Sequence, residues 1–335
     1  MQLAISLPYG EGAMSAEEVA ELTRAADDLG YHSIWVAEAW SFDAFMLLTS
    51  LIPITKRIGL GTSIINVYSR TPALIGQSVA TLDTLSGGRA ILGLGVSGPQ
   101  LIEGWHGVPY EKPLRRTRET IEIVRTILRR ERLDYDGEIF QLHMGLKLIN
   151  HPVRAAVPIV VAALGPKNVE LAAEIADGWM PTLYSPTQGP EVFRAALEAG
   201  KAKRSATLAP LQIYGTAAVA ITDQPETARA MTKHILALYL GGMGSREQNF
   251  YNRLVQRYGY EDEARAIQDL YLAGKRQEAA DAVPDALVDD LSAIGSLSHV
   301  KEKLAQFAEA GVDVLMISLL AGDHAGRMAA LEALA

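Results

Sequence analysis

The sequence contains no cysteine, so disulfides, zinc–thiolate sites and thiol nucleophiles are excluded. Its seven histidines are scattered, with no HxH or HxxxH pair. No metal site is expected, because metals need closely spaced ligands. No run approaches the roughly 18 apolar residues of a membrane span, so no membrane partner is expected. The formal net charge is -8 and no basic stripe is present, which argues against nucleic acid as a partner. The opening residues, MQLAISLPYGEG, lack a basic segment ahead of a long apolar one. No signal peptide is therefore expected, and a cytoplasmic location is the expectation. Global disorder is excluded as well, since 49% of residues are hydrophobic and 21% charged.

What is present is alternation. The 335 residues suffice for two average domains or one large barrel, and length alone does not choose. LAISLP (3–8) reads as a strand. SAEEVAELTRAADDLG (15–30) reads as a helix, with Ser15 as N-cap, Glu18 completing the capping box and Gly30 as the stop. Strands follow at 33–38, 57–64 and 89–95. The helices between and after them are FDAFMLLTSLIPIT, TPALIGQSVATLDTLSGG and the amphipathic 113–131. LDYDGEIFQLH (133–143) reads as a hairpin around Asp136-Gly137. Further strands are expected at 157–164, 179–184, 211–222 and 312–320. Helices are expected at PKNVELAAEIADG, near 189–203, from Pro225 to about Leu240, and at the final GRMAALEALA.

Eight strand–helix units imply an α/β fold, a (β/α)8 TIM barrel forming one domain over residues 1–335. An open doubly wound sheet is the alternative. It would usually carry a GxGxxG turn, and GLGVSG at 93–98 lacks that spacing. Residues 241–297 do not fit the repeat. They read as a helical insertion between strands seven and eight, suited to a lid or a subunit contact.

Barrel active sites lie at the carboxyl ends of the strands. The residues expected there are Tyr9 and Glu11 after strand one, then Glu38, Ala39 and Trp40 after strand two. Strand three contributes Thr62, Ser63, Ile64, Asn66 and Tyr68, and strand four Val96, Ser97, Gly98, Gln100, Glu103, Trp105 and His106. Strand five contributes Ala163, Leu164, Gly165, Pro166, Lys167 and Asn168, and strand six Pro181 and Tyr184. GPKN (165–168) opens a helix whose free N–H groups suit an anion, with Lys167 adding charge; an ordinary βα loop is the other reading. Trp40 and Trp105 suit packing over a ring, or plain rim packing. His106, in EGWHG, is a candidate base or a structural histidine. Glu38 ends an apolar strand, where an unpaired carboxylate is costly; it is a candidate catalytic group unless Arg70 pairs with it. Arg115, Arg116 and Arg118 read as a solvated face with Glu119 and Glu122 as partners.

TSIINVYSRTPALIGQSVATLDTLSGGRAILGLGVSGPQLIEGWHG (62–107) strongly resembles the luciferase-like monooxygenase superfamily. The similarity is closer to its deazaflavin branch, the coenzyme F420-dependent oxidoreductases related to methylenetetrahydromethanopterin reductase. It extends through SIWVAEAW (33–40), PLRRTRETIEIVRTIL (113–128), AALGPKNVELAAEIADGWMP (162–181) and GVDVLMIS (311–318). The combination of LDxLSGGR, GLG and GPKN(x)xLAxEIADGW carries it. The resemblance implies a deazaflavin ring in the barrel mouth and a non-prolyl cis peptide at Ser63–Ile64 supporting one ring face. It implies coenzyme contacts from Thr62, Ser63, Ile64, Asn66, Val96, Ser97, Gly98 and Ala163 through Lys167. It also implies hydride transfer between the deazaflavin C5 and a small organic substrate, in a homodimer or higher homo-oligomer. Several relatives carry a histidine after strand two, where this chain has Ala39. That leaves Glu38 or His106, or orientation of the reactants alone. An FMN-dependent monooxygenase of the same superfamily and a non-catalytic deazaflavin-binding protein are the alternatives.

Overall fold

The computed structural model describes residues 1–8 and 14–335. Tyr9 and Glu11 lie outside the described residues. The elements run β1 Gln2–Ser6, α1 Ala16–Leu29, β2 Ser33–Val36, α2 Ala44–Leu51, β3 Gly59–Thr62, β4 Ile65–Asn66, α3 Pro72–Ser86, β5 Ala90–Gly95, α4 Pro99–Gly104 and α5 Pro113–Leu128. They continue as β6 Tyr135–Asp136, β7 Gln141–Leu142, β8 Ile159–Ala162, α6 Pro166–Ile175, β9 Gly178–Met180, α7 Gly189–Lys201, β10 Gln212–Ile221 and α8 Pro225–Ala237. The last are α9 Phe250–Arg257, α10 Glu261–Leu272, α11 Arg276–Asp281, α12 Asp285–Leu291, β11 Ser292–Gly295, α13 Leu297–Glu309, β12 Val314–Leu319 and α14 His324–Leu334.

Local chemistry explains many of these boundaries. Ser15 and Glu18 form a reciprocal capping box at the start of α1, and Gly30 closes the helix at φ 84°. Thr71 caps α3, Pro72 fills its first position, and Gly87 ends it in the left-handed region. β6 and β7 pair antiparallel as the expected hairpin.

Eight parallel staves close a (β/α)8 barrel. β1, β2, β3, β5, β8, β9, β10 and β12 pair in that order, and β12 returns to β1. β4 continues β3 against β5. The larger core lies between staves and helices. A separate cluster of Ala4, Trp35, Ile91, Val160, Met180, Tyr214, Val314 and Met316 draws on seven staves and fills the barrel interior. β3 contributes Gly61 instead, where a Cβ would lie 2.5 Å from the Trp35 ring. Gly93 answers a tighter constraint: its Cβ would lie 1.8 Å from the Thr62 carbonyl oxygen.

Two expectations need correction. Residues 292–294 do not continue a helix. α12 stops at Leu291, and Ser292–Gly295 runs parallel to β10 from Ala218↔Ser292 to Ile221↔Gly295. β9 pairs with β10 only at Gln212 and Ile213, so the upper edge of this long strand needs another partner, and β11 supplies it. The sixth stave also ends at Met180, short of 184. Pro181 follows with no N–H to donate, and Leu183 turns the chain at φ 57°. The segment between β10 and β11 is otherwise helical. Its Tyr258 Oη donates to the Leu183 carbonyl at 3.0 Å and accepts from the Ser185 N–H at 3.3 Å, tying α9 to the loop after β9.

Among the described residues no helix is long and apolar enough to cross a membrane, and no group of three or more His, Asp or Glu is placed to hold a metal ion.

Candidate active site

The floor of the barrel mouth is built where β3 gives way to β4. The Ser63–Ile64 peptide is cis. The Ser63 N–H donates to the Val36 carbonyl at 2.7 Å, which holds the irregular step against β2. Ile64 is half-buried and packs with Ala162 on top of the interior cluster. A Cβ on Gly95 would sit 3.0 Å from Ile64 Cδ1 and 3.4 Å from Ala162 Cβ. Ile64, Gly95 and Ala162 therefore share one apolar surface at the carboxyl ends of three neighbouring staves.

Thr62 takes a different part. Its Oγ1 donates to the Gly93 carbonyl and accepts the Gly93 N–H, both at 2.9 Å, and the residue is fully buried. Its side chain locks β3 to β5. Val96, Ser97 and Gly98 follow β5, all half-buried, with Ser97 at φ 57°. Ala163 is buried, and its carbonyl accepts from Trp179 Nε1 at 2.9 Å. Leu164 packs against the outer core.

Gly165 caps α6, Pro166 fills the first position, and no side chain satisfies the N-terminal N–H groups. A Cβ on Gly165 or Gly98 would meet nothing within 4 Å. Asn168 Oδ1 is buried without a partner. Lys167 is directed elsewhere. It is 79% exposed, and its Nζ lies 2.9 Å from Glu170 on the outer surface. Bonds from Lys203 and Lys167 bring the Glu170 carboxyl down to about 2.

Glu38 is gripped. Arg70 donates from Nε to Oε1 at 3.0 Å and from Nη2 to Oε2 at 2.9 Å, and the Ala44 N–H donates to Oε2 at 3.0 Å. Arg70 also reaches Asp43 at 2.5 Å, and Asp43 in turn caps α2. The Glu38 bond, ahead of opposing burial, holds the Arg70 guanidinium above its ordinary value. Burial works to raise the Asp43 carboxyl, but the Met46 N–H and Arg70 outweigh it and leave it lowered. Glu38 is thus an anchored carboxylate that ties the β2–α2 loop to the β4–α3 loop. That β2–α2 loop carries Trp40 and Phe42, 53% and 47% exposed. Trp105 is 66% exposed on the loop after β5.

Asn66 is fully buried, and its Nδ2 lies 3.5 Å from Nε2 of half-buried His106. The two residues are 40 positions apart, and the fold brings them together. Arg116 turns away from the solvated face expected of it and stacks on Tyr68 at 4.7 Å and Phe140 at 5.2 Å. Tyr68 stacks on Tyr110 with centroids 5.1 Å apart, and burial pushes its hydroxyl up to about 12. An arginine one turn into α5 with aromatics upstream and downstream was the available signal. Arg115 does pair with Glu119, while Arg118 pairs with Glu174.

A family model described as luciferase-like monooxygenase matches residues 1–314. A protein of Mycobacterium tuberculosis, provisionally named a coenzyme F420-dependent oxidoreductase, is 42% identical over 344 residues, covering 99% of each chain. The 5,10-methylenetetrahydromethanopterin reductase of Archaeoglobus fulgidus is 29% identical over 305 residues, covering 89% of this chain and 88% of the other. Among solved structures, the coenzyme F420-dependent tetrahydromethanopterin reductase of Methanopyrus kandleri superposes with a TM-score of 0.82 at 24% identity, covering 99% of this chain and 96% of that one. An F420-dependent secondary alcohol dehydrogenase superposes with a TM-score of 0.75 at 19% identity, covering 99% and 97%. The barrel, the mouth and these end-to-end similarities agree: the chain belongs to the luciferase-like monooxygenase family.

Proposed function

We propose that the protein is a coenzyme F420-dependent oxidoreductase that transfers a hydride between the deazaflavin C5 and a small organic substrate. The observation that carries the reading is the 42% identity, end to end, with the M. tuberculosis relative bearing that name. The residues present fit such a group. Ile64, Gly95 and Ala162 form a bare apolar floor of the kind a flat ring needs. The uncapped N-terminus of α6, with open space at Gly165, suits a phosphate, and the unpartnered Asn168 Oδ1 beside it suits a hydroxyl donor.

When bound, the coenzyme supplies two electrons as hydride at C5. The chain's own residues bind and orient. Ser63, Ile64 and Gly95, together with Val96 through Gly98, would hold the ring. Ala163 through Pro166 and the Lys167 main-chain N–H serve the anionic end. Glu38 holds Arg70 and the Ala44 N–H with its two oxygens and so fixes the aromatic β2–α2 loop, a positioning role. Ala39 offers no ionisable group next to it. His106 is the polar side chain left to meet a substrate oxygen, and the main contribution of the site is alignment of hydride donor and acceptor.

The test is cofactor titration. Purified protein is mixed with F420 and, separately, with FMN, and fluorescence quenching is followed. The reading expects binding of F420 at least tenfold tighter than FMN, by roughly 1.4 kcal/mol or more, and oxidation of reduced F420 with some member of a carbonyl and alkene panel. Preference for FMN, with oxygen uptake on reduction, would replace it with a flavin monooxygenase. Tight F420 binding without turnover on any panel would replace it with a carrier.

A further inference from the structure

Asn66 closes β4, and its buried amide has a fixed orientation. Oδ1 accepts from the Tyr68 N–H at 3.0 Å and from the Ser69 N–H at 2.7 Å. Exchanging the amide oxygen and nitrogen would point an NH2 group at two N–H donors, so Nδ2 is held as the donor. The atom it faces is Nε2 of His106 at 3.5 Å. A ring nitrogen opposite an N–H donor must present its lone pair, so the neutral imidazole keeps its proton on Nδ1.

The rest of the loop fixes this encounter. The His106 N–H donates to the Leu101 carbonyl at 3.2 Å, and the Val108 N–H to the Ile102 carbonyl at 3.2 Å. Tyr68 Oη donates to the Glu111 carbonyl at 3.1 Å, and the Tyr68 ring stacks on Tyr110. The turn at Asn66–Ser69 is thereby tied to the far end of the loop that carries His106. Register places Asn66 beside Gly95, so the ring is tethered at the mouth. Among the described residues, Nδ1 has no hydrogen-bond partner.

We infer that Asn66 is a positioning residue that holds His106 as the neutral Nδ1–H tautomer, so that His106 meets the substrate as a hydrogen-bond donor to a carbonyl or hydroxyl oxygen rather than as a base. For its catalytic consequence this rests on the oxidoreductase reading; the tautomer itself does not. A neutral N–H donor polarises a carbonyl as hydride adds to its carbon; the alkoxide so formed takes its proton from water, and the imidazole keeps its own, in line with a site that works by alignment.

The experiment is nitrogen NMR on 15N-histidine-labelled protein at pH 8, without coenzyme, with His106→Gln identifying the resonances. The expected spectrum has Nδ1 protonated and Nε2 bare at His106. A protonated Nε2 overturns the inference. Asn66→Asp is the second arm. Its carboxylate still accepts from Tyr68 and Ser69, so the turn is kept, but it faces His106 with an acceptor and should move the proton to Nε2. A tautomer unchanged in Asn66→Asp also overturns the inference. In turnover, His106→Asn keeps a donor near the Nδ1 position and His106→Gln one near Nε2. The Asn variant should retain at least about fivefold more kcat than the Gln variant, with KM for coenzyme within about twofold in both. The reverse order overturns the donor role. Failure of F420 binding or of all turnover would count against the oxidoreductase reading and leave the spectra to decide the tautomer.

Discussion

Arg70 holds both oxygens of Glu38 at once, at 3.0 Å and 2.9 Å, across 32 positions of sequence. Both side chains are largely withdrawn from water, at 17% and 11% exposure. Arg70→Ala leaves two partly buried carboxylates, Glu38 and Asp43, without their cation. The expected loss is roughly 2–4 kcal/mol of unfolding free energy, at the edge of what removing one partner of a buried pair costs. Arg70→Lys should recover only part of it, because an ammonium cannot match the paired geometry. Urea denaturation of the two variants measures this. Losses below about 0.5 kcal/mol in Arg70→Ala would show the pair to behave as a surface pair.

At the opposite end of the barrel, Asp27 gathers the N–H groups of Lys56, Arg57 and Ile58 at 2.7, 2.8 and 2.6 Å. Burial works to raise its carboxyl, and the three N–H groups outweigh it, so the folded value lies below the ordinary 3.8. A lowered folded value means stability that is complete above the unfolded value and is lost as pH falls through the folded one. Asp27→Asn should therefore destabilise by about 1–3 kcal/mol at pH 7, with the gap from wild type narrowing below pH ~3.8. Thermal melts at pH 7 and pH 3 compare the two. A gap that widens in acid would contradict the assigned direction.

The sequence made local devices legible and remote ones not. The capping box at Ser15 and Glu18 and the Thr71–Pro72 helix start are complete within four residues, so they are readable before any fold is known. The barrel was legible because each stave carries its own apolar run. The strand at Ser292–Gly295 was not, because its only reason to be extended is the open edge of β10, some seventy residues earlier. The site divides in the same way. The glycines and small residues at the strand ends marked the mouth, whereas the destination of each charge needed the fold. Glu38 was found with its cation named as a possibility. For Lys167 the sequence offers both an anion and Glu170, three residues on, and the fold takes the nearer partner. Arg116 reads as a surface residue in sequence because the rings it stacks on, Tyr68 and Phe140, lie on other segments.

Lys167→Ala follows from that pairing. An exposed lysine–glutamate pair contributes little, so stability should change by less than about 0.5 kcal/mol. Coenzyme affinity should fall less than about threefold at low salt, because the helix N–H groups rather than the ammonium face the mouth. A larger loss, suppressed by added salt, would show that the side chain leaves Glu170 when ligand arrives.

The floor of the mouth offers a sharper test, because Ile64 and Gly95 lie against each other within it. Gly95→Ala adds a Cβ 3.0 Å from Ile64 Cδ1 and 3.4 Å from Ala162 Cβ. The nearer contact is with the end of a flexible side chain, so a shift of a few tenths of an ångström absorbs it and the fold should survive, at a cost of about 1 kcal/mol. The methyl group, however, enters the surface on which a ring would lie. Ile64→Ala does the reverse: it removes apolar atoms and leaves the floor lower. Its expected stability cost is about 1–2 kcal/mol, at the low end for a half-exposed side chain. The two variants should therefore both weaken F420 binding, for opposite reasons. Gly95→Ala should block the ring and raise Kd by at least about tenfold. Ile64→Ala should leave it loosely held, with Kd raised about three- to tenfold and kcat falling further than affinity, since hydride transfer depends on placement more steeply than binding does. Combining them should partly restore affinity, because the added methyl then fills space the shortened side chain has left. Fluorescence titration of the three proteins, beside their melting temperatures, decides it. If the double variant binds no better than Gly95→Ala alone, or if all three bind as wild type does, the ring does not rest on this floor.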